Sequence, residues 1–118
     1  MNYALLIYLG PEALAARRDP SRRAEYLAPW MVYAQALRDA GIQVGGSGLE
    51  LPETATTLRW KGAGRDVQDG PIAETKEQLG GFFLIDVPDQ DRAIEWAARC
   101  PVLPGDAVEV RPCMPRAE

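Results

Sequence analysis

The chain has no histidine among its 118 residues. Without imidazole, Ser-His-Asp and Cys-His catalysis in their usual forms are excluded, and so are the commonest zinc sites. Any proton transfer falls to Asp, Glu, Lys, Tyr or Cys. Cysteine is scarce: Cys100 and Cys113 stand alone and make no metal-ligand spacing. They are expected to be reduced thiols in a cytosol, although a disulfide between them is chemically open. No apolar run approaches the roughly 18 residues that would cross a bilayer. The opening Met1-Asn2-Tyr3-Ala4-Leu5-Leu6-Ile7-Tyr8 lacks the basic start and cleavage site of a signal peptide. The expectation is a cytoplasmic protein with no membrane partner.

A basic face is missing too. Lys and Arg number 13 against 17 Asp and Glu, for a net charge of −4. Binding a polyanion requires clustered cations that displace counterions. The one basic cluster, Arg17, Arg18, Arg22 and Arg23, is interrupted by Asp19 and reads as a solvated loop and helix start. No nucleic-acid partner is expected. Hydrophobic residues at 47% and charged residues at 25% give an ordinary globular balance, and the length suits one domain, residues 1–118.

What is present is a regular alternation of element types. Tyr3 to Leu9 reads as a strand that is apolar on both faces, ended by Gly10-Pro11. Residues 11–20 suggest one short helical turn. Ser21 to Ala40 predicts a helix, with Tyr26, Trp30, Tyr33, Ala34 and Leu37 as its stripe and Pro29 an awkward insertion. Gly41 stops it. Ile42 to Val44 starts a strand that meets Gly45-Gly46-Ser47-Gly48, a bulge, bend or close approach. An extended pattern resumes at Leu49 to Leu51. Thr54 to Trp60 and Arg65 to Gln68 form a hairpin around Lys61-Gly62-Ala63-Gly64, with Thr56, Leu58 and Trp60 on one side. Gly81 to Val87 is a second two-faced strand. Asp89 is the N-cap of a helix whose stripe is Ala93, Ile94, Ala97 and Ala98. Ala107 to Arg111 is the last strand.

The order β-α-β, hairpin, β-α-β predicts an α+β, ferredoxin-like sheet with its helices on one face. Helices cover half of the apolar positions in Tyr3–Leu9 and Phe82–Val87. The other half faces water in a monomer. At about 25 cal/mol per Å² its burial is worth several kcal/mol, which predicts a homodimer with two sheets packed face to face. The alternative is that the hairpin folds across this face within one chain.

Between hairpin and strand lies Asp69-Gly70-Pro71-Ile72-Ala73-Glu74-Thr75-Lys76-Glu77-Gln78-Leu79-Gly80-Gly81, too polar for a core and stiffened at Asp-Gly-Pro. Shaped loops beside buried strands often carry sites. This stretch resembles the YCII-related family and its DGPF-type branch. The resemblance continues in Tyr3 to Tyr8, Ala40-Gly41, Gly45 to Leu49, Thr54-Ala55-Thr56-Thr57, Ile94 to Pro101 and Val108 to Pro112, in order along nearly the whole chain. Ile72 departs from it, standing where the signature has Phe. The resemblance implies a ferredoxin-like fold assembled as a dimeric α/β barrel. It implies no settled reaction. The wider family is similar to small lactone isomerases and dehalogenating lyases, and a His–Asp pair of some members has no counterpart here. An association of DGPF-type proteins with extracytoplasmic-function sigma factors implies a regulatory role as the alternative.

Asp69 has two readings: an Asx-type turn former before Gly70-Pro71, or a general base at a cleft between sheet and loop. Glu74 and Lys76 pair with each other or with Arg111, or Glu74 sits beside Asp69 as a proton-sharing carboxylate pair. Ser47 and Thr75 offer hydroxyls. Gly46 and Gly48 offer backbone N–H groups to an anion, although a plain β-bulge explains the glycines equally simply. Tyr8 packs in the core or points into the same cleft. The candidate catalytic residues are thus Asp69 and Glu74. The candidate ligand contacts are Tyr8, Ser47, Gly48, Thr75, Lys76 and Arg111. No metal and no cofactor are expected. The expected partners are a second copy and a small acidic or lactone-like molecule, with lyase or isomerase chemistry if the protein is an enzyme.

Overall fold

Alternation on the first strand organises the molecule. Tyr3, Leu5, Ile7 and Leu9 are buried, while Asn2, Ala4, Leu6 and Tyr8 are only half covered. In a strand, residues two apart share a face, so one side of this strand is core and the other is not. The computed structural model describes residues 1–115. The elements are β1 (Asn2–Leu9), α1 (Pro11–Arg18), α2 (Arg23–Asp39), β2 (Gln43–Gly48), a 3-10 turn (Pro52–Thr54), β3 (Thr56–Lys61), β4 (Gly64–Asp69), β5 (Gln78–Asp86), α3 (Gln90–Ala97) and β6 (Ala107–Pro112).

Four strands form one sheet in the order β2-β5-β1-β6, with every neighbouring pair antiparallel. This is the expected ferredoxin-like α+β arrangement. The core lies on one face. Leu5, Ile7 and Ile85 meet Ala13 and Leu14 of α1, Tyr33 and Leu37 of α2, and Ala93 of α3. The Tyr33 hydroxyl donates to the Trp96 carbonyl at 2.7 Å, tying α2 to the end of α3. Tyr33 and Phe83 also meet edge to face at 5.4 Å. Asp89 caps α3 as expected, its carboxylate accepting from the Arg92 amide at 2.9 Å. Pro29 sits inside α2 without ending it. It has no N–H to give the Glu25 carbonyl, and both residues are exposed, so the lost bond falls on the solvent side of the helix.

Several boundaries differ from expectation. Residues 11–18 make a full helix, because Pro11 at its first position is already set to helical φ and Ala13, Leu14 and Ala16 are buried. β2 does not stop at Val44 but runs through the glycines to Gly48. β5 begins at Gln78, three residues earlier than predicted. Leu49 to Leu51 form a link, not a strand. On α3, Ile94 and Ala98 face solvent. The inward side is Ala93, Trp96 and Ala97, a spacing of three and four.

Among the described residues, β3 and β4 pair only with each other, and all their residues except Thr57 are exposed. The hairpin therefore does not fold across the open face of the sheet. That face presents Ala4, Leu6, Phe82 and Leu84, half buried, in adjacent register across β1 and β5.

Candidate functional site

Glycine shapes the edge where β2 meets β5. Ser47 lies opposite Phe82 and Gly48 opposite Gly81. Gly46 has φ +136°, and a Cβ there would lie 2.6 Å from the Phe82 carbonyl oxygen, so only glycine fits. Gly80 falls in the register shift between β1 and β5, and Leu9 occupies the space its side chain would need. Gly48 is different. A Cβ built on it meets nothing within 4 Å. The space it leaves is roofed by α2 through Tyr26, Leu27, Trp30 and Met31.

The result is a cavity of about 490 Å³ between α2 and the β2–β5 edge. Ile7, Leu9 and Phe83 complete an apolar wall, and Arg17, Gln43 and Glu50 supply polar groups, while Ser47 and Phe82, whose register turns their side chains to the other sheet face, border the cavity. Arg17, in the last turn of α1, is anchored by one Nη2 bond to the Leu49 carbonyl at 2.6 Å. A guanidinium carries five N–H donors, so most of its capacity is left for other partners. The Ser47 hydroxyl donates to the Gly48 carbonyl at 2.8 Å. Burial raises the pKa of Tyr26, keeping its phenol neutral. What this arrangement can do is enclose an apolar body and meet a polar head near Arg17.

A second, shallower cavity of about 330 Å³ lies against the Asp69–Gly81 loop, lined by Pro11, Arg18, Pro71, Glu74, Thr75 and Lys76 among others. Arg18 is engaged there, donating through Nε and Nη2 to Glu53 at 2.9 and 2.8 Å. Those bonds hold the Glu53 carboxyl at about 2.

The residues predicted from sequence thus divide among three places. Ser47 and Gly48 join the larger cavity, and Glu74, Thr75 and Lys76 the smaller. Tyr8 and Arg111 come together on the open sheet face. The Tyr8 hydroxyl reaches Glu109 at 3.4 Å and the Arg111 guanidinium donates to it at 2.7 Å. The Arg111 bond holds the Glu109 carboxyl below its usual range. Arg111 thus pairs with Glu109 and not with Glu74. Asp69 ends β4, exposed and outside both cavities. It forms no Asx turn either. The Gly70 amide donates to the Ala55 carbonyl at 2.7 Å, and Pro71 has no N–H to offer. Asp69 and Glu74 accordingly do not share one cleft.

The family model for the YCII-related domain matches residues 1–116. The chain belongs to the YCII-related family. It is also 52% identical over 48 residues to a protein of Rhizobium meliloti (strain 1021) that is described as uncharacterized. That match covers 40% of this chain and 39% of the relative, so the chain spans about two fifths of the length of the curated relative it matches. In this YCII-related chain the cavity residues that sequence reasoning missed are Arg17 and the α2 aromatics. Arg17 was hidden in a cluster read as solvated, and Tyr26 and Trp30 in a stripe read as core. The glycines at 45, 46, 48, 80 and 81 are the signal that points to them, once β2 and β5 are known to be neighbours.

Proposed function

We propose that this YCII-related protein binds a small, largely apolar organic acid in the cavity between α2 and the β2–β5 edge. The observation that carries this reading is the cavity itself, about 490 Å³. Its size falls in the range of small-molecule sites, and apolar walls with a few convergent polar groups are their usual make-up. Arg17 favours a carboxylate head, and Trp30, Leu27 and Phe83 favour an apolar or aromatic body. Asp69 lies outside the cavity, which favours binding over Asp69-driven proton transfer. The protein acts as a homodimer joined through the open sheet face, because Leu6, Phe82 and Leu84 are incompletely covered within one chain.

Isothermal titration with 2-naphthoate, an aromatic carboxylate, tests the binding. Saturable binding with one ligand per chain is expected. Arg17→Gln is expected to weaken it by about 1.5–3 kcal/mol, the worth of a charged hydrogen bond, or roughly ten- to hundredfold. Absence of binding at millimolar ligand, or equal binding by the variant, overturns the assignment. Light scattering across a concentration series tests the dimer, and a monomer throughout refutes it.

A further inference from the structure

We propose that the β3–β4 hairpin is a docking arm whose apolar face packs on a second copy of this chain. This rests on the homodimer reading above and adds to it a contact surface separate from the sheet.

The hairpin's register gives it two unlike faces. Thr56 pairs with Asp69, Leu58 with Val67 and Trp60 with Arg65, and paired residues share a side. Leu58, Val67 and Trp60 therefore form an apolar patch on a side they share with Thr56, Arg65 and Asp69, while Thr57, Arg59, Lys61, Asp66 and Gln68 fall on the other side. The patch is bare. Leu58 is 41% exposed, Val67 63% and Trp60 71%. A two-stranded hairpin alone in water is marginally stable at best and needs a further layer on its apolar face. None is supplied by the described residues, since neither strand pairs with the main sheet and both are exposed.

The overall dimensions agree. The radius of gyration is 16.0 Å and the molecule measures 46 × 43 × 19 Å. A compact domain of this length has a radius of about 13.5 Å. The chain is flat and extended because the arm reaches away from its own core.

Two arguments make the occupant a second copy. First, the chain carries another uncovered apolar surface, the sheet face with Ala4, Leu6, Phe82 and Leu84, and a twofold axis that packs this face on its copy brings two bare arms into the same assembly. Second, the sheet face alone is small. Four strands at about 4.8 Å spacing and about 20 Å length present roughly 400 Å². A standard stable interface takes about 800 Å² from each partner. A hairpin of six-residue strands, about 20 Å long, supplies part of the difference.

Hydrogen exchange read by mass spectrometry, above and below the dimer's dissociation concentration, tests this on the full chain. The amides of residues 56–69 are expected to be protected in the dimer and to lose protection on dilution. The double variant Leu58→Ser/Val67→Ser, on exposed positions outside the core, is expected to weaken dimerisation at least about tenfold. Its melting temperature measured at monomer concentrations should be unchanged. A stable dimer whose hairpin exchanges freely and whose affinity survives the double variant overturns the arm alone and leaves the sheet-face dimer standing. A wild-type monomer at every concentration overturns both, and assigns the hairpin's apolar face to a different protein.

Discussion

Gly48→Val separates the cavity from the stability of the fold. Gly48 has no positive φ, and a Cβ on it meets nothing within 4 Å. Valine therefore enters without a backbone clash. It sits in β2, where a glycine's conformational freedom costs roughly 0.5–1 kcal/mol against a residue with a side chain. The fold should be unharmed or slightly firmer, with Tm unchanged or raised by about 2–5 °C for a domain of this size. The three added carbons occupy space on the cavity wall. Ligands contribute about 0.3–1.5 kcal/mol per heavy atom, so excluding two or three atoms costs about 1–3 kcal/mol, or roughly ten- to hundredfold in Kd. Calorimetry with 2-naphthoate and a thermal melt of the same sample read both quantities. A variant with wild-type Tm and wild-type affinity refutes the placement of the ligand beside Gly48. A Tm lowered by more than about 5 °C refutes the reasoning from open space. Gly46→Ala is the control, since its Cβ would lie 2.6 Å from the Phe82 oxygen and the fold should be lost.

Tyr33→Phe removes the donor to the Trp96 carbonyl and should destabilise by about 1–2 kcal/mol in urea unfolding, with little change in slope because the ring still fills its place. Glu53→Gln should flatten the acid limb of the stability curve. The Glu53 carboxyl is held at about 2 in the fold, below its free value of 4.5, so its contribution is complete above the free value and fades as pH falls toward 2. Melts from pH 7 to pH 2 check this, and an identical acid limb in the variant counts against the Arg18–Glu53 pair.

The fold was legible where burial imposes a simple period. β1 shows it best, since every second residue is core. The Lys61 to Gly64 turn and the Asp89 cap were equally readable, because local chemistry decides both. The α1 helix was underestimated although Gly10-Pro11 marks its start, because its stripe of Ala13, Leu14 and Ala16 is short. The extent of β2 was hidden because glycines carry no strand preference, and their pairing with β5 is a long-range fact. The candidate site was less legible for the same reason. Ser47 and Gly48 were singled out, but the residues that face them, from Arg17 to Met31, come from two helices well upstream in the chain. Asp69 and Glu74 are near in sequence, yet the end of β4 and the following loop put them on different surfaces.

β1 occupies the middle of the sheet, between β5 and β6, and β2 pairs only with β5. No main-sheet hydrogen bond can therefore form until residue 78 has been made, and the last strand arrives with residues 107–112. Leu5 and Ile7 must wait for most of the chain to leave the ribosome. Of the strands, only β3 and β4 have their partner available before then. Such distant pairings make folding slow and leave the nascent apolar strand open to aggregation. The order in which this YCII-related chain is synthesised thus works against the strand on which its core depends.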